Sequence, residues 1–396
     1  MKRLPLLALL FVMAGLAFSA DFGLLIDQKI EAENVLFAYN YTYPPALAPW
    51  FSWNGSNGLS VFLSGLLSFK YSKYSDDIAN NSGWLFIPEL SRFAFSCRIN
   101  RGMYFEAGRI AYNDVTGFVA GGLFDGLRFN AVTSFGGISA GAFYTGLLYK
   151  ETAKITMTGS DMLRYAKPWD FDNFGDYFAS RRAFAALRWD LPVGEANNLS
   201  AEVLAQFDLN DSGEKLHSQY GEVQFEFYPM NMLRITAAAL FETMQNGGGD
   251  FNAAFGALAR VKTDLPGGPS DWLGFTVKFT SGSTNDTFTP LNSVTQGAVF
   301  PATLTGLALI GADYSVKIIN SLFVENTLRY FIRTFNDPAS DGILYGGELW
   351  ASLTWQPLDD IRATLGAGAF FPGFGNVYPS GTDVMWKVNA ALTLSL

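Results

Sequence analysis

Apolar and polar side chains alternate along this chain in segments of about ten residues. In the clearest example, Leu59 to Tyr71, every odd position is apolar, aromatic or glycine, while Ser60, Ser64 and Lys70 occupy even positions. Successive side chains of a strand point to opposite faces, so this pattern predicts strands with one apolar and one polar face. It returns at residues 92–100, 199–210, 221–227, 233–242, 251–262, 349–356, 361–371 and 384–396.

The composition indicates what the apolar faces contact. Apolar residues make up 49% of the chain and charged residues only 16%, whereas typical soluble domains carry about 25% charged residues. No stretch after residue 20 approaches the roughly 20 apolar residues that a spanning helix needs. A secreted β-sandwich or solenoid is the soluble alternative, but it would carry more surface charge. We therefore expect an all-β fold, a transmembrane antiparallel β-barrel of about 16–18 strands.

The first residues have the order of a secretory signal peptide. Lys2 and Arg3 precede an apolar run over residues 4–18, and small residues end it. This order predicts a signal peptide at residues 1–19 and a single barrel domain at residues 20–396, with an uncleaved membrane anchor as the alternative. An exported barrel implies a Gram-negative-type outer membrane, with membrane lipid and the barrel-assembly machinery as partners.

The connections between the alternating segments differ in length. Short ones occur at 100–102, 134–137, 228–231, 319–321 and 356–360, and long ones at 112–125, 150–178, 209–219, 281–303 and 371–383. Short periplasmic turns and longer external loops are typical of outer-membrane barrels. Counting strands from Leu59 to Leu396 on this basis gives about 16. The segment Phe22–Tyr43 is either an extra hairpin, which raises the count to about 18, or an N-terminal arm.

Several function classes are disfavoured by what the chain contains. The net charge of −9 argues against nucleic-acid binding, which depends on a basic surface. His217 is the only histidine and lies in a polar segment, so we predict no catalytic site and no enzyme activity. One histidine and one cysteine, Cys97, cannot supply a closed tetrahedral metal site. We expect no metal and no cofactor.

Charged residues on the polar phases of the strands indicate a basic interior. Lysines and arginines outnumber aspartates and glutamates there, although the whole chain is acidic. A positive excess in a narrow aqueous channel raises the local concentration of anions. The alternative is that these charges pair across neighbouring strands and stiffen the wall. The candidate pore-lining residues on these phases are Arg92, Arg98, Arg128, Arg182, Arg188, Arg234, Arg260, Arg329, Arg333, Glu348 and Arg362.

Short stretches of the chain resemble the alginate-export family of outer-membrane porins. They are Gly108-Arg109 with Phe124-Asp125-Gly126-Leu127-Arg128, and Gly347-Glu348 with Trp355-Gln356-Pro357 and Phe371-Pro372-Gly373. The resemblance implies a barrel of 18 strands that passes anionic polysaccharide through an arginine-lined lumen. It also implies that Arg109, Asp125, Arg128 and Glu348 lie on or near the pore wall.

These observations favour a porin, a channel for the passive passage of anionic solutes such as acidic sugars or oligosaccharides. A barrel of about 16 or more strands encloses an aqueous lumen, whereas one of about eight strands is filled by side chains. The alternative is a structural or adhesive outer-membrane barrel whose lumen is plugged by residues 21–58 or 150–178. The sequence leaves the solute and the oligomeric state open.

Overall fold

A computed structural model describes most of the chain after residue 19. The described residues are 20–35, 38–55, 58–75, 80–169, 171–211, 213–247, 249, 251–266, 271–283, 287–292, 294–335 and 342–396. The predicted signal peptide, residues 1–19, lies outside them. No helix in the described part is long and apolar enough to cross a membrane.

The alternating segments form one continuous antiparallel sheet that closes on itself. Its segments are β1 (Ala20–Val35), β2 (Ala38–Tyr43), β3 (Ala46–Asn54), β4 (Leu59–Ser75), β5 (Asn80–Asn100), β6 (Met103–Asn113), β7 (Gly121–Thr133), β8 (Gly136–Tyr144), β9 (Arg182–Val193), β10 (Asn197–Asp208), β11 (Leu216–Met230), β12 (Leu233–Asn246), β13 (Phe251–Asp264), β14 (Trp272–Thr280), β15 (Leu307–Ile319), β16 (Leu322–Arg333), β17 (Leu344–Leu358), β18 (Ile361–Phe371) and β19 (Met385–Ser395). Strand β19 pairs back onto β1, from Leu25 opposite Ser395 to Asn34 opposite Trp386. Closure leaves the sheet without a free edge.

The segments β2 and β3 together make a single crossing. Both pair with β1 on one side and with β4 on the other, and Pro44 and Pro45 separate them. A proline has no N–H to donate, so the ladder is interrupted there. The barrel therefore has 18 strands. The predicted all-β transmembrane barrel is confirmed with 18 strands, and the segment Phe22–Tyr43 belongs to the extra hairpin.

The two faces of the sheet have opposite chemistry. Leu63 and Val203, on the apolar phases of residues 59–71 and 199–210, are 43% and 58% exposed on the outer surface. Large apolar side chains such as Phe255, Leu328 and Leu365 are likewise exposed on other strands. A closed barrel with an apolar outer surface is the architecture of an outer-membrane protein. Its outer side chains contact lipid, and closure pairs the backbone N–H and C=O groups that lipid cannot hydrogen-bond. The barrel is an outer-membrane barrel.

The two ends of the barrel differ as the sequence predicts. At one end, called the turn end, the connections are short, as at 101–102, 134–135, 320–321 and 359–360. At the other, called the loop end, lie the long connections 114–120, 145–181, 209–215, 281–306 and 372–384. Loop 145–181 contains two short helices, α1 (Lys150–Ala153) and α2 (Gly159–Ala166), and a 3-10 turn at Phe174–Tyr177; a second 3-10 turn spans Pro372–Phe374.

The buried core lies inside the barrel, where loops 114–120 and 281–306 fold inward. Val119, Phe288 and Leu291 of these loops have no exposed surface. Phe300 stacks on the inner-wall residue Phe370, with ring centroids 4.4 Å apart. Apolar loop residues thus replace water in part of the lumen. The described part of residues 21–58, which the alternative function treated as a plug, forms wall strands instead.

Candidate functional site: the constricted lumen

Acidic side chains on the inner wall bind the backbone of loop 114–120. Glu202 of β10 accepts hydrogen bonds from the Tyr112 hydroxyl at 2.6 Å and the Val115 N–H at 2.9 Å. Glu222 of β11 accepts from the N–H and the hydroxyl of Thr116, at 3.1 and 2.8 Å. Both glutamates are 3% exposed, and hydrogen bonds shielded from water are strong. They fix the loop inside the barrel.

Loop 281–306 is attached in the same way. Glu242 of β12 accepts a hydrogen bond from the Thr289 N–H at 2.9 Å. Glu348 of β17, a predicted site residue, is 1% exposed and accepts three N–H groups at 2.7, 3.0 and 2.7 Å, those of Ala298, Val299 and Phe300. N–H dipoles that point at a carboxylate offset part of its charge. These wall acids therefore contribute less negative potential to the open lumen than their number suggests.

Three cations line a cavity of about 260 Å³ beside the two inward loops. They are Arg260 of β13, Lys278 of β14 and Arg329 of β16. Asp313 is the single carboxylate among the described lining residues. The cavity thus has a positive excess, and guanidinium and ammonium groups are the usual partners of carboxylates.

Within the described residues, the hydrogen-bond partners of the three cations are uncharged. Arg260 Nε donates to Thr276 Oγ1 at 3.3 Å, and Lys278 Nζ donates to Gln296 Oε1 at 2.8 Å. Arg329 donates to the backbone carbonyl of Gln296. Uncharged acceptors hold the side chains in place without cancelling their charge. The positive excess of the cavity remains available to a solute.

A second cavity, of about 150 Å³, lies against β6 to β10 and contains two predicted site residues. Arg128 Nε donates to Glu106 at 3.0 Å, and Arg188 Nε donates to both carboxylate oxygens of Asp190, at 3.0 and 2.9 Å. Each arginine here has its own carboxylate. This part of the wall matches the alternative in which charges pair and stiffen the strands.

The predicted residues Arg109 and Asp125 form a two-bond ion pair between β6 and β7. Arg109 Nε and Nη2 donate to the two oxygens of Asp125 at 2.9 and 2.8 Å, and Nη2 also donates to the Leu147 carbonyl at 3.0 Å. Arg109 is only 5% exposed. The pair joins two strands to the start of loop 145–181.

Arg182, another predicted site residue, has no exposed surface. Its guanidinium pairs with Asp161 of α2 and, at 3.0 Å, with Asp208 of β10. Nη1 donates to the Leu216 carbonyl at 2.9 Å. These contacts tie loop 145–181 to the rim of the barrel, away from any solute.

Two more predicted arginines lie over aromatic rings of the inner wall. The Arg92 guanidinium is 5.1 Å from the centroid of the Phe62 ring, and that of Arg333 is 5.2 Å from the Tyr345 ring. A guanidinium over a ring face is attracted by the ring's quadrupole. Both side chains are therefore held against the wall.

The remaining predicted arginines lie near the turn end. Arg234, at the start of β12, pairs with Glu226. Arg98, near the end of β5, and Arg362, near the start of β18, are exposed. They stand apart from the inward loops and from the cavity that holds Arg260.

An ion-pair cluster on β1 and β19 was missed by the sequence analysis. Lys387 is 2.9 Å from both Glu31 and Glu33, and Lys29 is 3.0 Å from Glu31. The alternation of charged residues at 29, 31 and 33 could have revealed this inner phase. It was overlooked because the N-terminal segment had no assigned strand. These acids reduce the predicted positive excess of the wall.

Aromatic packing anchors loop 145–181 against the inner face of β5. The Tyr177 ring lies 4.7 Å from that of Tyr149 and 5.3 Å from that of Trp169. Its hydroxyl donates to the Pro88 carbonyl at 2.6 Å. Burial, with a smaller effect of Glu89, raises the pKa of Tyr177 to about 12.

His217 has a structural contact at the start of β11. Its Nδ1 accepts a hydrogen bond from the Asp208 N–H at 3.2 Å, and its ring centroid is 6.1 Å from that of Phe207. Within the described ranges, no group of three or more histidine, cysteine, aspartate or glutamate side chains could hold a metal ion.

Comparison with known proteins finds structures of similar fold but no matching sequence family. No family model and no curated protein matches the chain. Three solved structures of Pseudomonas aeruginosa proteins have a similar fold: OccK5 (OpdH), with a TM-score of 0.62 and 10% identity; OccK2 (OpdF) in complex with glucuronate, 0.59 and 14%; and OpdK with vanillate, 0.61 and 10%. Each alignment covers 95% of this chain and 98% of the other.

The resemblance to the alginate-export family is wrong. The solved structures with a similar fold include OccK and OprD porins, and no family model supports alginate export. The quoted residues explain the error, because Arg109 and Asp125 are register partners on β6 and β7. A cross-strand ion pair of this kind reports local strand pairing, which barrels of different families can share.

Proposed function

We propose that this protein is a porin, a passive outer-membrane channel for small anionic solutes, with carboxylates the size of an acidic monosaccharide as the favoured class. The observation that carries the proposal is the cavity of Arg260, Lys278 and Arg329. Their charges face a space of about 260 Å³ and are bonded only to neutral partners in the described part of the chain. A low-dielectric wall around water strengthens such a positive excess.

The inward loops favour a small solute over an oligosaccharide. A barrel of this strand number is wide enough for a continuous aqueous channel. Loops 114–120 and 281–306 fill part of that width with buried side chains such as Phe118 and Phe288. We therefore narrow the predicted acidic sugars or oligosaccharides to single sugars and other small carboxylates.

The similar structures are consistent with this solute class. One contains glucuronate and another vanillate, and both compounds carry a carboxylate. This likeness concerns those proteins, and for this chain it motivates the choice of test compounds.

The structural or adhesive barrel with a closed lumen is the second candidate. It is favoured by the tight packing of Phe288, Leu291 and Phe300 inside the barrel. Such a barrel would be impermeable to solutes, whereas a porin would let them pass.

The test is solute uptake into liposomes that contain the refolded protein. Glucuronate, glucose and glucosamine are close in size and differ in charge, and the proposal expects glucuronate to enter fastest. Replacing Lys278 by Gln should slow glucuronate and leave glucose unchanged, because only the charged solute gains from the cation. Equal rates for all three compounds would remove the anion preference, and no uptake of any would support the closed barrel.

A further inference from the structure

One glutamine connects two of the three cations of the cavity. Gln296, in loop 281–306, accepts a hydrogen bond from Lys278 Nζ at its side-chain oxygen, 2.8 Å away, and from Arg329 at its backbone oxygen. Gln296 is itself 7% exposed. Its N–H donates to the Ala302 carbonyl at 2.7 Å, and its Nε2 donates to the Val294 carbonyl at 3.0 Å. The residue is held from both sides.

The hydrogen bonds that Gln296 accepts use only one N–H donor of each cation. A lysine ammonium has three N–H donors and an arginine guanidinium has five, and the bonds to Gln296 use one of each. Without a fixed acceptor, two cations on one small cavity repel each other and turn toward water. Gln296 supplies that acceptor while adding no charge of its own.

Neutral acceptors are notable here because the neighbouring wall uses carboxylates. Glu242 and Glu348 attach the same loop through carboxyl oxygens. A glutamate at position 296 would have nearly the same shape and could accept the same hydrogen bond. It would also cancel one positive charge at the place where a solute carboxylate would bind.

We infer that Gln296 is a positioning residue that sets the carboxylate affinity of the channel, by holding Lys278 and Arg329 toward the cavity with their charges intact. The inference rests on the proposed function, because it assigns a role within the same cavity. Gln296 acts through the two cations. A substitution at this position should therefore change the affinity for the solute more than it changes the width of the pore.

The experiment compares charge selectivity and glucuronate block of single channels in planar bilayers. Gln296→Glu keeps the acceptor and adds one negative charge, so the reversal potential in a KCl gradient should shift toward cations. Gln296→Met keeps the length and removes the acceptor for Lys278, so glucuronate should bind about fivefold more weakly, as expected for one lost hydrogen bond. Open-channel conductance in KCl should change little in both variants.

Gln224→Glu is the matched control, since Gln224 is another inner-phase glutamine, bonds to Glu226 on β11 and does not line the cavity, whose nearest strand, β13, is two strands away. Equal shifts for Gln296→Glu and Gln224→Glu would overturn the inference, leaving a general charge effect. An anion-selective wild type with no response in Gln296→Glu would also overturn it and leave the proposed function intact. A cation-selective wild type would instead remove the proposed function. Protease protection of loop 281–306 is measured in each variant to show whether the loop stays docked. If Gln296→Met exposes the loop, only the reversal potential of Gln296→Glu is used to test the inference.

Discussion

Glu348→Ala should release loop 281–306 from the barrel interior. The carboxylate is 1% exposed and accepts three consecutive backbone N–H groups at 2.7, 3.0 and 2.7 Å. A hydrogen bond to a charged group contributes about 1.5–3 kcal/mol. The three bonds share one carboxylate and are not additive, so we expect the docked loop to lose about 3–5 kcal/mol. Every 1.4 kcal/mol is about tenfold in population, which gives at least about a hundredfold more undocked loop.

The barrel itself should stay folded, because the strand ladder around β17 does not depend on this side chain. The assay is single-channel conductance together with limited proteolysis of loop 281–306. Glu348→Ala should raise the conductance, add current noise from loop motion and speed cleavage. Glu348→Gln keeps one acceptor oxygen and should be intermediate. Glu325→Ala is the control, because Glu325 is an exposed wall carboxylate of β16. Conductance and cleavage unchanged in Glu348→Ala would refute the view that wall glutamates hold the loops.

Three further predictions follow from the faces, the ends and the loop contacts of the barrel. Leu63→Arg, on the lipid face, should destabilise the folded barrel by about 2–4 kcal/mol in urea titration, whereas Ser139→Arg, in an inner cavity, should cost less; equal costs would mean the faces are reversed. Protease added to intact cells should cut loop 145–181 and spare the turn 101–102, and the opposite result would invert the topology. The pKa of Tyr177 is about 12 in the folded protein, against 10.0 for a free tyrosine. The hydrogen bond of its neutral hydroxyl therefore stabilises loop 145–181 fully below pH 10, and this stabilisation is lost as the pH rises through 12. Cleavage of that loop should accelerate over this range, and less steeply in Tyr177→Phe.

The alternation of side chains was sufficient to predict the fold class and the direction in which the strand residues point. Leu63 and Val203 lie on the apolar phases and are exposed on the outer surface. The pattern fixes this register, because a slip of one residue would turn every apolar side chain of a strand into the lumen. Gln206 shows the limit of this reasoning. It lies on the polar phase of residues 199–210, for which alternation alone predicts contact with lumen water, yet it is fully buried.

The strand count and the site were harder to predict, for separate physical reasons. The first hairpin was left unassigned because Pro44 and Pro45 interrupt its second strand and break the pattern. The inward loops have no periodicity, so nothing in the sequence marks Phe288 or Gln296 as lying inside the barrel. Alternation gives the face on which a charge lies but not its partner. It could not distinguish Arg182, neutralised by two aspartates, from Arg329, bonded to a carbonyl.

The proposed anion preference of the lumen is tested most directly by the reversal potential of the refolded wild-type protein in a KCl gradient. The inner-wall glutamates Glu202, Glu222, Glu242 and Glu348 accept hydrogen bonds from N–H groups of the inward loops. In contrast, Arg260, Lys278 and Arg329 face the cavity and donate to neutral partners. We expect the reversal potential to have the sign of a chloride-selective channel. Its magnitude should fall at high salt, because screening shortens the range over which the cations attract chloride. A potential of the sign set by potassium, or a barrel that carries no current, would contradict it.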